Sequence, residues 1–191
     1  MKKVGILGGT FDPIHHGHLI TAQALMEIRN LERIIFIPCY ISPHKTGGGN
    51  SSGLHRLNMV NLAIKDVPYF TCSPIEIERG GVSYTIDTLR ELKKDYAEME
   101  LIIGMDNLEK FYTWKEPDEL IKIAQLVVME RESSPREIPI DRYYEAAEFV
   151  KTPFIDIKAT DIRQRVRQNL PIDFLVPKEI KEYIFRYNLY K

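Results

Sequence analysis

Val4-Gly5-Ile6-Leu7-Gly8-Gly9-Thr10-Phe11-Asp12-Pro13-Ile14-His15-His16-Gly17-His18 is the most informative stretch of this chain. Val4–Leu7 is a short apolar run that stops at Gly8–Gly9, as a buried parallel strand does. Beyond His18, apolar residues fall at Leu19, Ala22, Leu25, Met26 and Ile28, the stripe of an amphipathic helix that begins near Gly17. A second apolar run, Arg33–Ile37, is stopped by Pro38. Strand, helix and strand in so short a span make one right-handed βαβ unit.

The same alternation recurs downstream. Leu54–Ile64 reads as a helix, Phe70–Cys72 and Ile75–Glu78 as short strands, and Thr85–Lys94 as a helix. Leu101–Ile103 and Leu126–Met129 read as buried strands with a helix over Pro117–Ala124 between them. Tyr143–Phe149 reads as helical and Phe154–Ile157 as the last strand, followed by helices over Asp161–Gln168 and Pro177–Tyr187. The expected fold is a doubly wound, Rossmann-like α/β parallel sheet with helices on both faces and helices at the C-terminal end. Lys45–Gly53 and Glu130–Pro139 have loop composition, but strands or helices resume on either side, so residues 1–191 are expected to form a single domain.

Bulk properties narrow the function. The chain has 191 residues, 44% of them apolar and 28% charged, which suits a soluble globular protein. The net charge of −1 provides no overall field for nucleic acid or anionic membrane, so neither is expected as a partner. Cys39 and Cys72 lack metal-knuckle spacing and read as reduced thiols. No stretch approaches the roughly 20 apolar residues of a membrane span, and no signal peptide is visible, so the expected location is the cytoplasm.

Chemistry concentrates at the first strand–helix junction. In an open parallel sheet, ligands bind beyond the carboxyl ends of the strands. Unpaired N–H groups and the positive end of the helix dipole favour phosphate at the start of the first helix. Gly8 and Gly9 permit close backbone approach, Thr10 adds a hydroxyl, and His15 and His18 lie one helical turn apart. This is neither the G-x-G-x-x-G of dinucleotide oxidoreductases nor the G-x-x-x-x-G-K-S/T of P-loop enzymes. One histidine alone would more often be structural; two around a glycine, after a Gly-Gly turn, are expected to form a phosphate site.

This segment resembles the nucleotidyltransferase superfamily that carries an H-x-G-H signature, whose site is related to that of class I aminoacyl-tRNA synthetases. Its partner signature, Ser/Thr-x-x-Arg, is matched by Thr160-Asp161-Ile162-Arg163, with Thr160 suited to an N-cap and Arg163 able to reach phosphates. Further motifs resemble bacterial nicotinate-mononucleotide adenylyltransferases over essentially the whole chain: Pro43-His44-Lys45, Gly81–Leu89, Gly104-Met105-Asp106-Asn107 with Phe111, Trp114 and Pro117, and Leu175-Val176-Pro177.

The resemblance implies AMP transfer from ATP to nicotinate mononucleotide by in-line attack, with Mg²⁺ carried by the ATP. It implies ATP contacts from Gly8, Gly9, Thr10, Phe11, His15, Gly17, His18, Gly104, Asp106, Thr160 and Arg163. His15, His18, Lys45 and Arg163 would neutralise charge. Lys45, Thr85, Asp106, the Tyr112 backbone and Trp114 would bind the mononucleotide, with no protein-borne metal ligands. Trp114, the only tryptophan, can stack on a pyridine ring, and the helix start at Thr85 can hold a carboxylate. One departure is visible: where the family commonly has two small hydroxyl residues before the threonine, this chain has Lys158-Ala159. Nicotinamide mononucleotide and phosphopantetheine remain alternative acceptors. An aminoacyl-tRNA synthetase-like fragment and a non-catalytic nucleotide sensor are the rival readings. Relatives often self-associate, and the sequence leaves the oligomeric state open.

Overall fold

The computed structural model describes residues 3–43, 51–130 and 141–191. A six-stranded sheet runs in the order β3-β2-β1-β4-β5-β6, every pair parallel. The strands are β1 (Val4–Gly9), β2 (Arg33–Pro38), β3 (Phe70–Cys72), β4 (Met99–Gly104), β5 (Gln125–Glu130) and β6 (Ala147–Lys151). Because β1 is flanked by β2 and β4, the chain reverses direction across the sheet there, and a crevice opens above the carboxyl ends of β1 and β4.

The period of two along each strand assigns side chains to opposite faces. Leu7, Phe36, Ile102 and Val127 enter one core, beneath α1 (His16–Ile28), α2 (Gly53–Ile64), α8 (Ala159–Arg167) and α9 (Lys178–Arg186). Ile6, Ile35, Leu101 and Val128 enter the other, beneath α4 (Thr85–Leu92) and α6 (Pro117–Ile123). The remaining elements are short: α3 (Ile75–Arg79), α5 (Met105–Leu108), a 3₁₀ turn (Phe111–Thr113) and α7 (Arg142–Ala146). Among the described residues, no helix is long and apolar enough to cross a membrane.

Three local expectations require correction. Ile75–Glu78 is helical, not a strand: Glu76 is the buried residue and bonds Thr88, so the Ile-Glu-Ile-Glu alternation does not lie across a sheet. Helix α7 ends at Ala146, and the last strand is β6 rather than Phe154–Ile157. Pro153 precedes that stretch, and residues 152–158 are irregular. Thr160 is not an N-cap; Lys158 takes that position, and Thr160 lies exposed in the first turn of α8.

At the foot of the sheet, away from the crevice, Glu100 is buried between two cations. Arg29 donates to both of its oxygens at 2.7–3.2 Å, and Lys3 stands 2.6 Å away. Burial pushes the Glu100 carboxyl up, but hydrogen bonds and charge from Arg29 and Lys3 outweigh it and hold the group below its ordinary value. This pairing ties β4 to α1 across 71 residues of sequence.

Candidate active site

The turn after β1 is built from close contacts. Phe11 occupies the left-handed region at φ 49°, an unfavourable place for a bulky side chain, at a cost of about 1–3 kcal/mol. Burial offsets that cost: the ring is 4% exposed and meets Phe36 and His18 edge-on at 5.7 and 5.1 Å. A Cβ on Gly9 would lie 2.8 Å from the Phe11 ring, so Gly9 is needed for this turn to close. A Cβ on Gly8 would meet nothing within 4 Å, because Gly8 faces the crevice.

His15 caps α1 and His18 sits in its first turn. The backbone N–H of His15 donates to His18 Nδ1 at 3.3 Å, and the two rings stack with centroids 3.6 Å apart. Gly17 lies between them; a Cβ there would approach His15 Nδ1 at 3.0 Å. The His16 N–H donates to the Leu175 carbonyl at 3.0 Å, so the Leu-Val-Pro segment supports the helix start. Two imidazoles at the positive end of a 13-residue helix form an anion-binding arrangement.

Two arginines hold the backbone of the turn. Arg163, from the first turns of α8, donates to the Asp12 carbonyl at 2.7 Å, which brings the second signature onto the first. Arg56, 3% exposed on the apolar stripe of α2, donates to the carbonyls of Thr10 (2.9 Å), Tyr40 (3.0 Å) and Ser51 (3.2 Å). The sequence reading missed Arg56. Its spacing from Met59 and Val60, three and four residues on, was the available signal, since it places a charge on the buried face.

On the other side of Gly8–Thr10 lies a cavity of about 220 Å³. Gly8, Gly9 and Thr10 form one wall, while Thr85, Trp114 and Lys115 form another. Trp114 is half-buried and lies tilted against Phe111, ring centroids 5.1 Å apart, so the indole is held in place without being submerged in the core. Thr85 is the first residue of α4, where helix N–H groups point outward. The floor includes Glu76, which accepts from Thr88 Oγ1 at 2.6 Å and from Ser83. Burial pushes the Glu76 carboxyl up, opposed by the Thr88 and Ser83 hydrogen bonds and the Arg79 charge. The Tyr40 N–H donates to Ser83 Oγ at 2.9 Å, and the Ser83 N–H to the Ile41 carbonyl at 2.9 Å, so the chain beyond β2 is anchored to this wall. Glu76 and Cys39, another lining residue, were also missed by the sequence reading.

The structure therefore brings Gly8, Gly9 and Thr10 together with Thr85 and Trp114 in one cavity, and Phe11, His15, Gly17, His18 and Arg163 around the adjoining turn. Gly104 ends β4 in the crevice, and Asp106 is exposed in the short α5 beside Asn107, which lines the cavity. The Tyr112 side chain is 65% exposed and outside the lining, although its neighbours Thr113 and Trp114 belong to it. Lys45 lies outside the described residues.

A parallel sheet in this order, with two histidines at the first helix start and an arginine bound across the turn, defines a nucleotidyltransferase-type site. The cytidylyltransferase-like family profile matches residues 6–165. Curated relatives extend the match over the whole chain. Proteins named "Probable nicotinate-nucleotide adenylyltransferase" from Thermomicrobium roseum and Thermoanaerobacter sp. are 39% and 40% identical, over 100% and 99% of this chain and 92% and 94% of theirs. One from Bacillus pumilus is 39% identical over the full length of both. The chain belongs to the nicotinate-nucleotide adenylyltransferase family within the cytidylyltransferase-like proteins. The fold is shared with the Plasmodium falciparum nicotinic acid mononucleotide adenylyltransferase complexed with NaAD, at TM-score 0.77 and 20% identity, covering 100% of this chain and 98% of that one.

Proposed function

We propose that residues 1–191 form one nucleotidyltransferase domain that transfers AMP from ATP to nicotinate mononucleotide, yielding nicotinate adenine dinucleotide and pyrophosphate. One observation carries this reading: a cavity with an indole and a helix start on one wall opens onto the Gly8–Thr10 turn that leads into the His15–His18 helix start. A pyridine ring fits against Trp114. Its carboxylate suits the N–H and hydroxyl of Thr85, joined by the Tyr112 backbone.

ATP takes the other half of the crevice, its phosphates on Gly8, Gly9, Thr10 and the start of α1, its ribose against Asp106 beyond Gly104, and its base toward Thr160 of α8. The mononucleotide phosphate, already ionised, attacks the α-phosphorus in line, and pyrophosphate leaves on the opposite side. The protein's part is positioning and charge neutralisation. His15, His18 and Arg163 donate toward the phosphates as charge shifts to the leaving group, and the family resemblance adds Lys45 as a further charge-neutralising cation. The groups of the turn that face the crevice are imidazole and backbone N–H, the Asp12 carboxylate being buried, and this set fits a Mg²⁺ that arrives on ATP with its waters and phosphate oxygens. When bound, that ion shields the phosphate charge.

Direct attack predicts that labelled pyrophosphate enters ATP only when product dinucleotide or mononucleotide is present. Mass analysis of the mixture with Mg·ATP and nicotinate mononucleotide is expected to show the dinucleotide. Exchange with both mononucleotide and dinucleotide absent would show an adenylylated protein and contradict the direct route. The absence of dinucleotide would contradict the function.

A further inference from the structure

Asp12 is a residue that the reaction outlined above does not use. It is 2% exposed, inside the turn that carries Thr10 and Phe11. Its carboxylate accepts from the Tyr190 hydroxyl at 2.6 Å, across 178 residues of sequence, and from the Ser51 N–H at 3.3 Å. The Ser51 hydroxyl donates to it as well and lies 3.3 Å from the Tyr190 oxygen. Its own carbonyl accepts from Arg163. Arg56 closes the circuit by bonding the Ser51 and Thr10 carbonyls.

A buried carboxylate is stable only when hydrogen-bonded, and here its donors come from two distant parts of the chain. Tyr190 is 8% exposed and packs into the core beneath α1, α2 and α9. Burial, then the Asp12 charge, pushes its phenol well above the ordinary value, so it remains a donor at neutral pH. Arg163 can meet phosphate in a fixed orientation only if the Asp12 carbonyl it rests on is itself fixed. A simple core role would need only the tyrosine ring. The hydroxyl aimed at Asp12, with Arg163 on the other end of the same residue, requires more.

We infer that Tyr190 is a positioning residue for the ATP-phosphate site, acting through the Asp12 carboxylate to hold the Thr10–Asp12 turn and the Arg163 acceptor in register. The inference rests on the adenylyl-transfer reading. The far wall of the mononucleotide cavity is held by Glu76, Ser83 and Thr88, which among the described residues meet the clamp only through Tyr40 and Arg56, so loss of the clamp acts first on the ATP half.

The test compares wild type with Tyr190→Phe, Asp12→Asn and the double variant, each checked for folding by thermal melting. Ser51→Ala provides a milder lesion if a single variant fails to fold. Tyr190→Phe keeps the packed ring and loses one hydroxyl. It is expected to lower kcat by about tenfold to a hundredfold and to raise KM for ATP, because small misplacements at a reacting centre are costly. KM for nicotinate mononucleotide stays within about twofold, and the double variant is no worse than the more damaged single one, since both break one link. Wild-type kcat and ATP KM in Tyr190→Phe would overturn the inference, as would an equal rise in both KM values or fully additive losses. If wild type turns over no substrate, the adenylyl-transfer reading fails by itself, and calorimetric ATP binding then decides: equal Kd in wild type and Tyr190→Phe overturns the clamp, and weaker binding in the variant supports it.

Discussion

Replacement of His18 separates a structural role from a chemical one. In the structure His18 does three things: its Nδ1 accepts from the His15 N–H, its ring stacks on His15 at 3.6 Å, and it meets Phe11 edge-on at 5.1 Å. His18→Ala loses a cap-like hydrogen bond worth about 1 kcal/mol and ring contacts of about 0.5–1.5 kcal/mol each. The sum, about 2–4 kcal/mol, is smaller than the usual stability of a domain, about 5–15 kcal/mol, so the variant stays folded. Loss of an imidazole donor to the developing charge costs more in the transition state: kcat is expected to fall by about 10² to 10³. His18→Asn distinguishes the two roles. Asn Oδ1 can accept from the His15 N–H and recover the part of the melting temperature that this bond carries, but it cannot supply the ring's second nitrogen. Pyrophosphate release, coupled to a phosphate-detecting assay, is measured for both variants alongside melting curves. If Asn restores turnover to within about threefold of wild type, His18 is only a cap; if Ala leaves turnover unchanged, His18 has no place in the chemistry.

Other perturbations probe the frame around the site. Glu100→Gln removes a buried charge partner of Arg29 and Lys3 and should cost about 2–3 kcal/mol, less than a fully enclosed pair because Arg29 also reaches Glu148. The depressed Glu100 carboxyl adds stability above its ordinary 4.5, and that stability is lost as pH falls through the lower folded value, so acid unfolding curves of wild type and variant should converge at low pH. Glu76 has the opposite sign. Its raised carboxyl is fully stabilising below 4.5 and loses that contribution as pH rises through the folded value, so Glu76→Gln should remove this decline, measured by denaturant midpoints across pH. Burial pushes the Cys72 thiol up to about 12, so a thiol reagent near neutral pH should label Cys39 first, and nicotinate mononucleotide should slow that labelling because Cys39 lines the cavity. Equal rates for both thiols, or no protection, would argue against this placement of the acceptor.

Legibility of the fold followed the range of the forces involved. The β1 turn and α1 depend on neighbours in sequence: an apolar run, two glycines and a helical stripe. The central strands, buried on both faces, show as continuous apolar runs. Reading failed where distant partners overruled the local pattern. Ile75–Arg79 alternates like a strand, yet Glu76 turns inward to Thr88 and Ser83, and the segment coils. Strand β6 is a half-exposed edge whose first residues, Ala147–Phe149, continue the helical pattern that begins at Tyr143, while Phe154–Ile157 offers a more apolar but unpaired alternative. At the site, the histidines and Trp114 announce themselves by type and spacing. Arg56 gave a weak signal as a charge on an apolar stripe. Tyr190 gave none, because its meaning lies in a hydroxyl that reaches Asp12 from the far end of the sequence.

The central claim is the identity of the acceptor, and pyrophosphate release from Mg·ATP tests it most directly, with nicotinate mononucleotide, nicotinamide mononucleotide and 4′-phosphopantetheine offered separately. The account predicts rapid release with the nicotinate compound, at least about tenfold above the amide, because charge-assisted hydrogen bonds at Thr85 are stronger than neutral ones. Release with phosphopantetheine alone would contradict the assignment of Trp114 and Thr85, and release with none of the three would contradict adenylyl transfer altogether.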